Sequence, residues 1–329
     1  MQTGWTLFGL AYLAFAVMTV THLQTGLHGD PLRTNPDPGP APYPPLFGFD
    51  HWPLAVSLSS IPMAVILLSA LVWISRKQRR LHWTAVIAFA GLLTGALDPL
   101  ANWATFAIFD PRMLHFPFSW PYVNISPNLE PALAFLGGYA AYYVLNGMGF
   151  LAMHRKVTEP LLLRSDFFAR RRLVAVFVGA AALALPINAA IQMTWMAAGI
   201  FFYTEAVGPV LIIGTVHFPL VMAVYDSFIF AMVAVMCVRD DRGELILITA
   251  VARRLTAGQV ARSPSLTYQL LSSATIGLVV FSAPLVVLAG LRVAGLSEPA
   301  YDRNPYPTMK VYDPYGHLRD AGKPGPFYP

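Results

Sequence analysis

Between residues 95 and 131, three acidic residues are each followed directly by proline: Asp98-Pro99, Asp110-Pro111 and Glu130-Pro131. The first stands inside an otherwise apolar run, where an ionisable side chain costs roughly 2.5–3.5 kcal/mol to insert into a bilayer and so needs an interior position and a partner. Asn102, four residues later, shares a helical face with Asp98, and Pro99 loosens the turn in which backbone groups could join them. A carboxyl held there can keep a proton and deliver it as a general acid. Asn188 and Gln192 repeat the same spacing just after Pro186, and His217 stands shortly before Pro219, with Tyr225 and Asp226 beyond it. Glu130 opens another apolar run that also holds Asn146, and His22 lies near the end of an earlier one. Aromatic residues crowd the same regions, among them Trp103, Phe106, Trp120, Tyr122, Tyr142 and Tyr143. Their ring faces can shape a greasy substrate and face a developing cation. Buried carboxylates, amides and rings together suit acid-promoted cyclisation or dehydration of a hydrophobic molecule. Taken singly, each of these groups has a plainer role as interhelical hydrogen-bonding glue, helix cap or packing.

Such residues need elements to hold them, and composition says which kind. Hydrophobic residues make up 56% and charged residues 12% of the 329 residues, with a mean hydropathy of +0.54, more apolar surface than one soluble core needs. Seven runs are long enough to cross a bilayer: 5 to 27, 53 to 75, 82 to 108, 128 to 153, 173 to 200, 209 to 238 and 267 to 293. Backbone groups in lipid must bond within their own segment, so each run predicts a helix. The expected fold is all-α, a polytopic membrane helix bundle of about seven transmembrane helices. The first run lacks a basic leader and a cleavage pattern, so it is expected to stay as a helix. Connections after the second, fourth and sixth runs hold fifteen of the 22 Lys and Arg. That bias predicts a cytoplasmic N-terminus, an extracytoplasmic C-terminus and a multi-pass protein of the cell membrane. Residues 1–296 then form a single transmembrane helix-bundle domain and residues 297–329 a Pro/Tyr-rich extracytoplasmic tail. The Pro-rich loop from 28 to 53 and this tail are expected to cap the outer mouth. Counted by depth, Asp98, Asn102, Glu130, Asn188, Gln192 and His217 fall in the outer half, lining an outward polar cavity, while Asp226 falls in the inner half.

Several function classes lack a signal. The net charge of +5 is accounted for by topology, so no nucleic-acid partner is expected. The eight histidines show no HxxH, HxxxH or HExxH spacing, and the lone Cys237 excludes a CxxC site, so no metal is expected. No phosphate-cradling glycine motif is present, and the seventh run holds no lysine for a retinal Schiff base. No cofactor is expected. Asn124-Ile125-Ser126 fits a glycosylation sequon, read as incidental.

The segment from Asp98 to Leu145, DPLANWATFAIFDPRMLHFPFSWPYVNISPNLEPALAFLGGYAAYYVL, resembles the AveC-like spirocyclase family of actinobacterial membrane proteins. The likeness rests on Asp-Pro-x-x-Asn at 98 to 102, the loop with Ser119-Trp120-Pro121-Tyr122 and the Pro-rich approach to the fourth run. The resemblance implies spiroketal formation in polyketide secondary metabolism, in which a dihydroxyketone loses water and closes two rings on one carbon; some members also dehydrate the product. Position and chemistry then cast Asp98 as principal acid/base, Glu130 as its catalytic partner, and Asn102 and Asn124 as orienting groups. Trp103, Trp120, Tyr122, Tyr143, Asn188, Gln192 and His217 complete the expected substrate contacts. The competing classes are a transporter and an accessory or scaffold subunit that binds lipid or a protein partner, and an oligomer is compatible with each.

Overall fold

Apolar runs that close their own backbone hydrogen bonds become helices, and glycine and proline mark where they stop. The computed structural model describes residues 10, 13, 17, 34–37, 49–79, 81–116, 131, 138–255, 265–313, 315–323 and 325–328. Its main helices are α1 (Trp52–Lys77), α2 (Trp83–Gly95), α3 (Asp98–Ala104), α4 (Tyr139–Met153), α5 (Arg172–Ala197), α6 (Leu220–Met236), α7 (Ile246–Leu255) and α8 (Leu266–Val293). The described chain is mostly helical. Among the described residues, α1, α5 and α8 are long and apolar enough to cross a membrane, and α2 with α3 makes a fourth such span bent by 57°. Of the first expected span, residues 10, 13 and 17 are described, all helical.

Helix α2 is buried on nearly every side, as expected of an apolar helix enclosed by others. It packs against α8 and α4, α4 packs against α6, and α6 against α5. Small residues permit these close approaches. A Cβ on Gly147 of α4 would meet Cys237 Sγ at 2.7 Å and Val233 Cγ1 at 2.9 Å, so α4 and α6 touch there. Cys237 is buried at that contact as an apolar packing group.

The expectation of helices alone needs correction at one end of the bundle, where, among the described residues, eight short strands form four two-stranded sheets. Strand β1 (Ala107–Phe109) pairs antiparallel with β2 (Phe201–Tyr203), and β3 (Glu205–Ala206) with β6 (Glu298–Pro299). Strands β4 (Val210–Ile213) and β5 (Val216–Pro219) make a hairpin, and β7 (Val311–Tyr312) runs parallel to β8 (Phe327–Tyr328). The run from 209 to 238 is therefore not one helix. Its first half turns back at Gly214, with φ of 59°, and α6 begins only after Pro219. A short apolar β-branched run has no periodicity that separates strand from helix.

The described part of the tail packs over these strands. Tyr306 donates to the Gly199 carbonyl at 2.7 Å and sets its ring edge-on to Phe202, with centroids 5.3 Å apart. Asn35 from the first loop donates its backbone N–H to Thr308 O at 3.1 Å.

Glu205 is buried where β3 meets β6 and accepts a hydrogen bond from Ser297. Burial pushes its carboxyl above the ordinary 4.5, with Ser297, Arg292 and Lys323 pulling the other way. The folded chain thus binds this proton more tightly than the unfolded chain. The contribution to stability is full below pH 4.5 and falls as pH rises through the folded value. Glu205→Gln keeps an acceptor for Ser297 and is expected to flatten that decline in melting temperature measured across pH in detergent. Parallel profiles for the two proteins would remove Glu205 as the cause.

Candidate active site

The bend between α2 and α3 places Asp98 at the first residue of α3. Pro99 follows within the first turn, where its missing N–H leaves no intrahelical bond unmade. It therefore starts a helix here, and the break lies at Ala96 and Leu97. Asp98 Oδ1 accepts the Tyr139 hydroxyl and Oδ2 accepts Asn102 Nδ2 at 3.1 Å. Asp98 and Asn102 are both buried. Tyr139 opens α4, and its approach depends on Gly91 of α2, where a Cβ would overlap the Tyr139 carbonyl and stand 3.0 Å from Tyr143 Cβ.

A second carboxylate, Asp226 of α6, is held by both amides of α5. Its Oδ2 accepts Asn188 Nδ2 at 2.9 Å and also Gln192 Nε2, and Gln192 Oε1 accepts the Tyr203 hydroxyl from β2 at 2.6 Å. The other oxygen, Oδ1, takes no hydrogen bond from any described residue. Tyr225 lies in the electrostatic field of both Asp98 and Asp226. Its hydroxyl is buried with no hydrogen-bond partner among the described residues, which costs about 1–3 kcal/mol in an otherwise sealed interior. Asp226 keeps part of its surface accessible, and Tyr142 is 39% exposed, although their neighbours Tyr143, Tyr203 and Tyr225 are buried. The arrangement sets a carboxylate at each of two stations among buried tyrosines, Asp98 bonded to Tyr139 and Asn102 and Asp226 to Asn188 and Gln192, able to give and take protons at separate atoms.

Two of the expected substrate contacts sit elsewhere. His217 is on β5, stacked on Tyr301 with centroids 4.3 Å apart, and its ring meets the Ala300 carbonyl, so it anchors the tail. Trp103 lies under the Arg292 guanidinium at 4.8 Å, which also covers Phe106 at 4.1 Å and donates to the Trp103 carbonyl. This cation holds the end of α3 where Phe106 takes a left-handed backbone with φ of 57°. Asp110, of the Asp-Pro that follows Asp98-Pro99, closes a turn through Arg112, whose Nη2 donates to Oδ2 at 2.6 Å. Tyr143 is fully buried beside Thr94. Glu130, Trp120, Tyr122 and Asn124 lie outside the described residues. Among the described residues no group of three or more His, Cys, Asp or Glu could hold a metal ion.

The family model described as spirocyclase AveC-like matches residues 78–312, most of the chain and both carboxylate stations. The chain belongs to the AveC-like spirocyclase family. No curated protein and no solved structure matches it. Membership in the AveC-like family supports a cyclase-type enzyme, and the family match takes in strands β1 to β7 and the tail as far as Tyr312.

Within this AveC-like chain, sequence reasoning separated Asp226 by depth from Asn188 and Gln192, whereas the fold joins them. The missed signal was complementarity between neighbours: Asp226 is the sole acidic residue of α6, and Asn188 with Gln192 forms a polar face on α5 that needs an acceptor. Tyr139 and Tyr203 carried no such signal, because only the chain's return brings them to the carboxylates.

Proposed function

We propose that this protein is a membrane-embedded cyclase that closes rings on a hydrophobic hydroxyketone, of polyketide or lipid origin, with loss of water. The carrying observation is the buried Asp98, set at a helix break and bonded to both Tyr139 and Asn102, in a chain of the AveC-like spirocyclase family. Ketal closure passes through a hemiketal and an oxocarbenium ion. An acid must protonate the departing hydroxyl and a base must take the proton of the attacking one. Asp98 serves as that acid and base in turn, oriented by Tyr139 and Asn102, with Glu130 as an additional carboxylate. The apolar helices exclude bulk water from the cation, and the tyrosine rings can face it. The reaction is redox-neutral and calls on no cofactor. A multi-pass place in the cell membrane, with the strand-bearing end outside, follows from the distribution of basic residues.

The test compares, by mass spectrometry, lipid and polyketide extracts from cells carrying the native gene or Asp98→Asn, with protein levels matched. A species one water heavier than the native product supports cyclodehydration and supplies the substrate. Transport is the second reading, favoured by the 57° break in an otherwise membrane-length helix pair, a feature of substrate sites in transporters. On that reading Asp98→Asn changes which side of the membrane a compound occupies, and no compound changes mass.

A further inference from the structure

The hairpin of β4 and β5 has two unlike sides. Strand β5 faces protein: Val216 and Phe218 are buried, His217 stacks on Tyr301, and its backbone N–H donates to the Tyr301 hydroxyl at 3.0 Å. Strand β4 is the outer edge, where Leu211, Ile212 and Ile213 are exposed in a row, the two isoleucines by 61% and 57%. Edge strands that face water are guarded by charged side chains against pairing with other chains, yet no Asp, Glu, Lys or Arg occurs from Ala206 to Tyr225. The base of the hairpin is bonded to the start of α6, where the Leu220 N–H donates to the Pro209 carbonyl at 3.0 Å. Leu220 and Val224, one turn apart, give α6 an exposed apolar face of its own. At 17 residues, α6 is about 25 Å long, short of the roughly 30 Å of hydrocarbon that a span must cross. Past its far end Arg239, Asp240, Asp241 and Arg242 follow almost at once, so the missing apolar length falls at the hairpin.

We infer that the β4–β5 hairpin dips into the bilayer and completes the span that α6 leaves short, with Leu211, Ile212 and Ile213 against lipid acyl chains. Among the described residues β4 pairs with β5 alone, and an open sheet edge is not found in the hydrocarbon interior, where no water reaches its backbone. The hairpin therefore lies at the boundary between headgroups and chains, its side chains in the apolar layer and its edge within reach of headgroup water. This goes beyond the cyclase reading and rests on membrane embedding alone, since it needs no chemistry at Asp98.

The test reconstitutes the full chain in phosphatidylcholine vesicles with an environment-sensitive fluorophore on one introduced cysteine. The native Cys237 is buried, and unsubstituted protein treated alike gives the background. Ile212→Cys is the reporter, Ile66→Cys on the exposed face of α1 the lipid control, and Tyr315→Cys in the exposed part of the tail the water control. The reporter is expected to emit to the blue of the water control, to be quenched most by a nitroxide near the top of the lipid chain, and to be spared by iodide. Ile213→Cys should behave alike and takes its place if Ile212→Cys lowers the melting temperature. Iodide quenching equal to that of the water control overturns the inference and leaves the hairpin in water. Quenching by neither agent also overturns it, because protein, from this chain or a second copy, then covers the tip. If lipid quenches Ile66→Cys but not the reporter, the hairpin inference fails and membrane embedding stands; if lipid quenches neither, embedding itself fails and takes the inference with it.

Discussion

Asp98→Asn is expected to leave a folded protein whose turnover has dropped by about 10²- to 10⁴-fold, the usual contribution of a positioned acid and base. The substitution is close to isosteric. Its carbonyl oxygen still accepts the Tyr139 hydroxyl that Asp98 Oδ1 accepts now. The amide nitrogen would face Asn102 Nδ2, now 3.1 Å from Oδ2, and a turn of the Asn102 amide restores a donor to an acceptor. The stability loss is thus about one hydrogen bond, roughly 0.5–1.5 kcal/mol. What the variant cannot do is lend a proton to a leaving hydroxyl. Extracts should therefore hold a compound one water heavier than the native product at matched protein abundance. Identical extracts would take the acid role from Asp98 and leave it as interhelical glue.

Gly91→Ala should harm both folding and turnover, while Gly149→Ala should harm neither. A methyl at Gly91 overlaps the Tyr139 carbonyl and crowds Tyr143 Cβ at 3.0 Å, both on the facing helix, whereas a methyl at Gly149 meets nothing within 4 Å. The contact at Gly91 involves backbone, which cannot step aside as a side chain tip can. Overpacking of this kind costs about 1–3 kcal/mol, and the relief available is to push α4 away from α2. That movement draws Tyr139 from Asp98, and a displacement near 1 Å at a reacting group can cost about 10²-fold in rate. Gly149→Ala should instead gain roughly 0.5–1 kcal/mol from reduced backbone freedom of the unfolded chain. Melting temperature and turnover, measured together in one detergent, check the pair. Native-like turnover in Gly91→Ala would mean that this approach does not set the Asp98 geometry.

The sequence made the long helices legible because lipid-length apolar runs have few alternatives; α1, α5 and α8 stand where 53 to 75, 173 to 200 and 267 to 293 predicted, to within a few residues. It also pointed to the break just before Asp98-Pro99, since an acid and a proline inside an apolar run conflict with an unbroken span. The hairpin at 210–219 escaped because Val, Ile and Phe suit a strand and a membrane helix alike, and only the turn at Gly214 separates them. For the site, spacing revealed each pair within one helix, Asp98 with Asn102 and Asn188 with Gln192. Partners across helices, Tyr139 for the first and Asp226 for the second, depend on which helices become neighbours. Hydropathy holds no record of that choice.

The tail has a consequence in time. Residues 298–328 leave the ribosome after every helix named above, yet they pair with strand β3 and, through Met309, with Thr34. Helices can enter a bilayer one by one as they are made, each satisfying its own backbone, but these pairings must wait until residues 298–328 have been made. The helices that carry both carboxylates are therefore made before the segment that packs over the strands. A stalled ribosome or a cut after α8 would release a protein that has its acids and amides but lacks the Tyr306 bond to Gly199 and the ring over Phe202. Quality control of this protein would have to sense the missing cover, since the bundle beneath it could already be complete.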